Sequence, residues 1–126
     1  MDKVITIGNK EVGFRATALT PRLYRHKIGR DIIQDFSRLE KAYRKAAALP
    51  ETATEEERRE AQLSAFDLEI FENAAYIMAR QYDPTIPDSP DEWLDGFETF
   101  SIYEILPHIL ELWAINVATT AKPKKK

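Results

Sequence analysis

The side chains that usually carry out catalysis are sparse in this chain of 126 residues. It has no cysteine, and its two histidines, His26 and His108, lie on different predicted helices, outside HExxH and other metal-ligand spacings. Its four glycines form neither a GxGxxG nor a GxxxxGKS/T phosphate loop. Carboxylate pairs such as Asp67 with Glu69 could build an acid–base or cation site, but acidic helix faces are usually solvated surface. We therefore predict a non-enzymatic protein with no catalytic residue, no cofactor and no metal.

The charge of the chain is unevenly distributed. Residues 1–45 contain 11 Lys and Arg against 5 Asp and Glu, residues 46–121 contain 3 against 16, and residues 122–126 add four lysines. Regions of opposite charge can attract each other within one fold, or they can pair between copies and partners. The charges can also simply solvate helix faces, and the sequence leaves these alternatives open.

The basic first third allows an alternative function, a small nucleic-acid-associated regulatory protein, because a basic helix can track phosphates. Against this, the acidic remainder would repel the same phosphates, and the sequence pI is about 5.5. Nucleic acid is therefore the less favoured partner. Salt-sensitive DNA or RNA binding that is lost on neutralising Arg22, Arg25, Lys27 and Arg30 would identify this function.

Large aromatic side chains concentrate in the C-terminal third, next to acidic residues. Two interpretations stay open, because these side chains could close the hydrophobic core or could anchor a partner in a groove. Aromatic anchors surrounded by charge are typical of interface centres. On the second interpretation, the candidate partner-binding residues are Trp93, Phe97, Phe100, Tyr103, Ile109 and Trp113.

The elements that position these side chains begin with a predicted β-hairpin over residues 1–16, because two β-rich stretches flank the turn-forming pair Gly8-Asn9. A two-residue loop sets Ile5 opposite Val12, whereas a four-residue loop sets Ile7 opposite Val12. An isolated hairpin is marginal in water, so we expect it to pack on the helices or to receive another strand. Both registers share one apolar face, which is also a candidate self-assembly edge: Ile5, Ile7, Val12 and Phe14.

Capping residues, prolines and apolar residues spaced by three and four predict helices from residue 20 onward. These helices run from Thr20, as N-cap, to Gly29, from Asp31 to about Leu49, from Thr54 to about Gln81, over a short segment starting at Ser89-Pro90, and from about Ser101 to Ala118. Pro107 predicts a kink or a break in the last helix. The fold class is therefore α+β and mainly α, with a hairpin and a bundle of four to five helices in one domain over 1–118. Residues 119–126 are expected to form a disordered basic tail.

The chain is predicted not to span a membrane. Its most apolar segment, 102–117, contains Glu104, His108 and Glu111, so it lacks the roughly 18 to 20 consecutive apolar residues that a spanning helix needs. The N-terminus lacks the pattern of a secretory signal, and with no cysteine this favours a reducing cytoplasm.

Taken in order, several segments of the chain resemble one protein family over nearly its whole length. They are ITIGNKEV at 5–12, TPRLYR at 20–25 with GRD at 29–31, FENAAYIMA at 71–79, EWLD at 92–95, FSIYEILP at 100–107, LW at 112–113 and the Lys-rich end. No single segment is a specific motif, but their order and spacing resemble the tail assembly chaperones of long-tailed bacteriophages and related prophages of Gram-positive bacteria.

The resemblance implies a function without catalysis. Such proteins bind the tape measure protein, keep its long apolar helices soluble, help to recruit the major tail (tube) protein, and are not retained in the mature virion. It also implies a location in the cytoplasm of the bacterial host, and the number of copies that assemble stays open. A helical groove with aromatic anchors would suit such a partner, and the hairpin edge could add strands between copies.

The resemblance also generates a prediction about the gene. Many members of the family are made in two lengths by a programmed ribosomal frameshift near the end of the shorter frame. The terminal residues Lys124, Lys125 and Lys126 can be encoded by an A-rich slippery sequence. We expect A AAA AAG or a close relative among the last codons, with an overlapping frame that encodes the extension. Reading the nucleotide sequence checks this, and codons without such a heptamer would leave a solvated basic tail as the explanation of the lysines.

Overall fold

The computed structural model describes the backbone of residues 1–120 and the side chains of residues 1–114. Over this range an antiparallel hairpin precedes six helices: β1 (Asp2–Ile7), β2 (Lys10–Arg15), α1 (Thr20–Ile28), α2 (Ile32–Ala47), α3 (Glu55–Glu60), α4 (Ala65–Tyr82), α5 (Pro90–Asp95) and α6 (Ile102–Thr120). The predicted α+β, mainly helical fold with an N-terminal hairpin is confirmed. α6 includes Thr119 and Thr120, the first residues of the predicted tail. Lys124, Lys125 and Lys126 lie outside the described residues.

The hairpin has the register of the two-residue loop. Ile5 pairs with Val12 and Ile7 with Lys10, and Gly8 adopts φ +65° while Asn9 has a negative φ, the pattern of a type II′ turn. The side chains of Ile5 and Ile7 are buried, as is that of Phe14 on the same face. Of the two registers that the sequence left open, the structure has that of the two-residue loop, and Ile5, Ile7, Val12 and Phe14 lie on one face as both registers predicted.

α4 is the central helix of the fold. It contacts β2, α1, α2, α5 and α6, and every residue from 74 to 79 is buried. A helix that is covered by neighbours all round needs apolar or small residues all round, and alanines at 74, 75 and 79 meet this requirement. α4 is therefore the element against which most of the others pack.

The start of α1 differs from the prediction that Thr20 is its N-cap. Thr20 is the first helical residue, and the preceding Leu19 makes no side-chain capping bond. The Thr20 hydroxyl instead accepts a hydrogen bond from the Thr17 backbone N–H at 2.9 Å and donates one to Gln81 Oε1 at 2.6 Å. Thr20 is fully buried, so its hydroxyl connects α1 to the end of α4 and is not free to cap its own helix.

The helix predicted from Thr54 to Gln81 is two helices. α3 ends at Glu60 and α4 begins at Ala65, because Ser64 and Asp67 form a second capping box inside the predicted span. The interruption lets Ala61 and Leu63 bury their side chains. Phe66 in the first turn of α4 is 36% exposed, and the guanidinium groups of Arg30 and Arg38 lie 4.7 Å and 5.0 Å from its ring centroid.

α6 runs from Ile102 to Thr120 with Pro107 inside it, so the break that this proline could have caused does not occur. Pro107 has no N–H to donate to the carbonyl of Tyr103. The Tyr103 residue itself is 52% exposed. Within the described part of the chain, none of the helices combines the length and the apolar character that a membrane crossing needs.

The two capping boxes give a matched test of the fold. Ser64→Ala should lower the free energy of unfolding by about 1 kcal/mol, because α4 cannot fray without exposing the core. Thr54→Ala removes the same kind of cap from α3, which has no buried residue, and should cost less than half as much. Urea unfolding followed by circular dichroism measures both values. Equal losses would contradict the central role given to α4.

Candidate functional site

Trp93 is the centre of an aromatic cluster that also contains Phe14, Tyr76, Phe97 and Phe100. Its ring centroid lies 6.4 Å from that of Phe14, 5.8 Å from Tyr76, 5.2 Å from Phe97 and 5.3 Å from Phe100. The angles between these ring planes and Trp93 are 60° or more, which is the edge-to-face arrangement that aromatic rings favour. The cluster joins the hairpin, α4 and α5, and Trp93 itself is only 5% exposed.

The structure does not bring the six candidate partner-binding residues together on one surface. Trp93, Phe97 and Phe100 belong to the aromatic cluster, Ile109 is fully buried in α6, and Trp113 packs edge-on against Phe36 with centroids 5.4 Å apart. Tyr103 is exposed elsewhere, beside α3. The core interpretation therefore describes Ile109 and most of the surface of Trp93 and Trp113, whose small exposed parts line grooves. Phe97, Phe100 and Tyr103 expose more of their side chains.

The candidate self-assembly edge also uses most of its side chains internally. Ile5, Ile7 and Phe14 are buried in the chain's own core, while Val12 is partly exposed. In the described residues, no backbone hydrogen bond joins either strand to an element other than its hairpin partner. The backbone edges, and not the apolar side chains, are thus what the hairpin has left for another chain, and self-assembly through them stays a prediction.

A first groove, the α2–α6 groove, encloses about 360 Å³ between these two helices. Its walls are mainly apolar, and Ile33 on its rim is 60% exposed. Trp113 is the one predicted partner-binding residue in it. The signal that sequence reasoning missed is the pair Ile32-Ile33, because adjacent residues on a helix point about 100° apart and cannot both face the core. The groove is lined by Ile33, Phe36, Ser37, Glu40, Leu110, Trp113 and Ala114.

Two carboxylates hold α2 in place beside this groove. Asp35 accepts hydrogen bonds from Arg30 Nη2 at 2.7 Å, from Arg30 Nε at 2.8 Å and from the Tyr24 hydroxyl at 2.9 Å. Asp67 at the start of α4 accepts one from Arg38 Nε at 3.0 Å. Both carboxylates are buried, so each needs these donors to stay charged.

The electrostatics of Asp35 follow from these contacts. Burial by itself would raise the pKa of Asp35, but the hydrogen bonds from Arg30 and Tyr24 and the charge of Arg30 outweigh burial and lower it. Burial and the same carboxylate raise the pKa of Tyr24. The ionised Asp35 therefore connects the end of α1 to the start of α2 at neutral pH.

A second groove, the hairpin groove, encloses about 590 Å³ between β2, the end of α4, the 83–89 loop and α5. Four consecutive residues of β2, 10–13, form one wall, while Trp93 and Phe97 lie on the other side. The Tyr82 ring lies directly against the backbone of Gly13, so close that a β-carbon added to this glycine would be 2.1 Å from the ring. The groove is therefore narrow at this point. The Lys10 ammonium donates to the Gly96 carbonyl and lies 5.1 Å from the Phe97 ring centroid.

The loop wall of the hairpin groove is fixed by side chains of α4. Arg80 Nη1 donates to the carbonyls of Ile86 at 3.0 Å and Pro87 at 3.1 Å, and the Tyr76 hydroxyl donates to Pro87 at 2.6 Å. The loop includes Pro84 as well as Pro87, which restricts it further. This wall is therefore set before any partner arrives.

The positive charge of the first third is only partly paired within the chain. Arg15, Arg30 and Arg38 form ion pairs with Asp2, Asp35 and Asp67, and Arg44 pairs with Glu40. On α1, Arg22, Arg25 and Lys27 are exposed and have no ion-pair partner among the described side chains. Arg30, which the sequence analysis named with them as a candidate nucleic-acid contact, is paired with Asp35 and stabilises the fold.

Histidine and carboxylate side chains do not gather into a metal site in the part of the chain that the structure describes. His26 is exposed on α1, and His108 is half-buried on α6. The described residues instead form surface grooves, and the α2–α6 groove and the hairpin groove are the two considered below as contact surfaces for another chain. Compared with protein families, curated proteins and solved structures, the chain has no match.

The buried carboxylate of α2 generates a prediction about pH. Because the folded-state pKa of Asp35 is lowered, its contribution is complete above its unfolded pKa, about 3.9, and is lost as the pH falls through the lower folded-state value. Asp35→Asn should lower the free energy of unfolding by about 2 kcal/mol at neutral pH and flatten its decline in acid. Urea titrations at several pH values measure this. Asp95→Asn, at an exposed carboxylate, is the matched control, and identical acid profiles for the two variants would contradict the assignment.

Proposed function

We propose that this chain is a non-catalytic tail assembly chaperone that binds the tape measure protein of a long-tailed phage in the bacterial cytoplasm. On this proposal it keeps the apolar helices of that protein soluble, helps to recruit the major tail protein, and is absent from the mature virion. The observation that supports it best is the α2–α6 groove, which has mainly apolar walls and has Ile33, 60% exposed, at its rim.

The shape of this groove suits a helical partner. A groove between two helices accepts the apolar stripe of a third, whose side chains at i, i+3, i+4 and i+7 then replace water along both walls. Leu110 and Trp113 on α6 are one turn apart, and Ile33 and Phe36 face them from α2. A long helix with exposed apolar residues would therefore bury them here, and the acidic body would keep the complex dispersed.

One observation favours the alternative, a nucleic-acid-associated regulator. Arg22, Arg25 and Lys27 are exposed on one short helix without ion-pair partners among the described residues. Phosphates could contact them without disturbing the fold. If this function were correct, neutralising these three residues would abolish salt-sensitive binding to DNA or RNA. Arg30 should be left intact in that variant, because it pairs with Asp35.

Co-expression with the tape measure protein tests the proposal. The wild-type chain should raise the soluble fraction of that protein, and Ile33→Glu should weaken the complex by about tenfold or more, since an isoleucine buried at an interface is replaced by a charge. The fold of the variant should be unaffected, because Ile33 is mostly exposed.

Val4→Glu is the matched control for this experiment. It introduces the same charge at another exposed aliphatic residue, 54% exposed on the hairpin, and should leave binding unchanged. A tape measure protein that stays equally insoluble with and without the wild-type chain would show that the proposed function is wrong. Equal losses of binding in both variants would reject the α2–α6 groove as the contact surface.

A further inference from the structure

The hairpin groove has the form of a site for an extended chain. Its β2 wall consists of four consecutive residues, 10–13, so the groove follows the outer edge of the strand and not one of its faces. β2 has β1 as its one strand neighbour among the described residues, and its other edge makes no backbone hydrogen bond to a further element. α4 packs against β2, and the Tyr82 ring covers the strand at Gly13, so the backbone groups left for an extended segment of another chain are those towards the Lys10 end.

The wall of the hairpin groove opposite β2 presents apolar side chains, and side chains of α4 hold its loop in place. Ile86 and Phe97 are partly exposed in the groove, and the ring of Tyr82 covers Gly13 at one side. Because Arg80 and Tyr76 already hold the carbonyls of the loop, little ordering of this wall is needed when a segment enters. The segment can thus be short and still find a preformed site.

The charge around the hairpin groove favours a cationic segment. Three carboxylates, those of Glu11, Asp83 and Glu92, line it, and its one lysine, Lys10, already donates to the Gly96 carbonyl. The loop and helix beside it, residues 83–98, contain six Asp and Glu and no Lys or Arg, and one of the six, Asp88, is paired with Arg80 of α4 at 2.8 Å. Hydrogen bonds from Thr85 lower the pKa of Asp83, so that carboxylate stays ionised in mildly acidic solution. A basic partner is attracted to this groove, and an acidic one is repelled.

The chain itself contains a segment of this chemistry. Residues 122–126 are Lys-Pro-Lys-Lys-Lys, four positive charges without a carboxylate. Residues 121–126 come after α6, and an extended segment of this length spans about 20 Å, enough to follow the four-residue wall of β2. A single proline is tolerated at an edge, because alternate residues of an added strand point their N–H away from the strand they pair with.

The direction of α6 indicates that this segment reaches the groove of a different copy. α6 begins just after Phe100, in the aromatic cluster near the turn end of the hairpin. At Glu111 it has reached Lys3, at the open end of the hairpin, with which it forms an ion pair. Nine further residues carry it about 14 Å beyond that point, away from the Lys10 end of the groove.

We propose that the hairpin groove of one copy binds the lysine-rich segment 121–126 of a second copy, so that copies join head to tail. The groove lies towards the turn end of the hairpin, whereas α6, which precedes the segment, runs past the open end. The two contact surfaces are different, so the contact is heterologous and can repeat along a row of copies. Exposed charges carry the attraction, so the assembly is weak and salt-sensitive. It does not require the chaperone function.

Three full-length variants test this assembly by sedimentation velocity. The groove variant carries Glu11→Gln and Glu92→Gln, and the tail variant replaces Lys122, Lys124, Lys125 and Lys126 with Gln. The control variant, Glu56→Gln with Glu60→Gln, makes the same charge change on α3, outside the groove. The wild type should self-associate with rising concentration at low salt. The groove and tail variants should each associate about tenfold more weakly, and the control should match the wild type.

Mixing the variants gives the sharper result. The groove variant keeps a working tail and the tail variant keeps a working groove, so an equimolar mixture should form dimers and stop there. A mixture that shows no dimer overturns the proposal, as does a tail variant that associates like the wild type. A wild-type chain that stays monomeric, while tail substitution shifts the NMR signals of groove residues, would place the tail in its own groove and overturn the assembly. None of these outcomes bears on the tape measure proposal, which depends on the α2–α6 groove.

Discussion

The packing of the hairpin on the helices is the contact on which the other surfaces of this molecule depend. A two-stranded hairpin is marginal by itself, so its apolar face must be covered. Phe14 from β2 meets Trp93 from α5, and Tyr76 from α4 packs on the same indole, so one side chain connects three parts of the chain. The hairpin groove is a consequence, because β2 is held beside the end of α4 and a space lined by both remains between them, the 83–89 loop and α5.

This contact also changes the meaning of the aromatic residues. Their concentration among acidic residues was compatible with an exposed anchor site or with a core, and the two interpretations require opposite burial. Trp93 and Trp113 are buried, whereas Tyr103 is exposed, so membership of an aromatic-rich segment does not determine what each ring does. The burial depends on partners such as Phe14 and Phe36, which lie more than 70 residues away in sequence.

Features determined by a few adjacent residues could be predicted. The Gly8-Asn9 turn, the stop at Gly29 with φ +82°, and the caps at Asp31 and Ser89 each depend on backbone preferences or on a hydrogen bond within three residues. The interruption between α3 and α4 was missed although Ser64 and Asp67 form a capping box there. The residues around it are strong helix formers, and the bends that bury Ala61 and Leu63 gain their stability from tertiary contacts.

The two grooves could not be predicted in the same way, because their walls meet only after folding. Ile33 faces Leu110, and β2 faces a loop 70 residues later, so no local pattern marks either groove. The sequence shows where the charged residues are, but it does not show which of them form ion pairs in the fold. Arg30 and Arg38 form ion pairs within the fold, whereas Arg22 and Arg25 are exposed. Only the tertiary contacts distinguish the first two arginines from the other two. The carboxylates of Glu11, Asp83 and Glu92 at the hairpin groove likewise form no ion pair among the described side chains.

The two proposed surfaces are physically compatible because they have different requirements. The α2–α6 groove is apolar, and its volume of about 360 Å³ is enough for a few side chains of a helix. One copy can therefore cover only a short part of a long helix. One such contact is weak. Copies joined through the acidic hairpin groove would present these contacts in series, so that after the first binds, each later one forms at the effective concentration set by its neighbour. A long apolar helix could then be covered by many weak contacts, and the row of copies could still come apart, since exposed charges with little net stability hold it together.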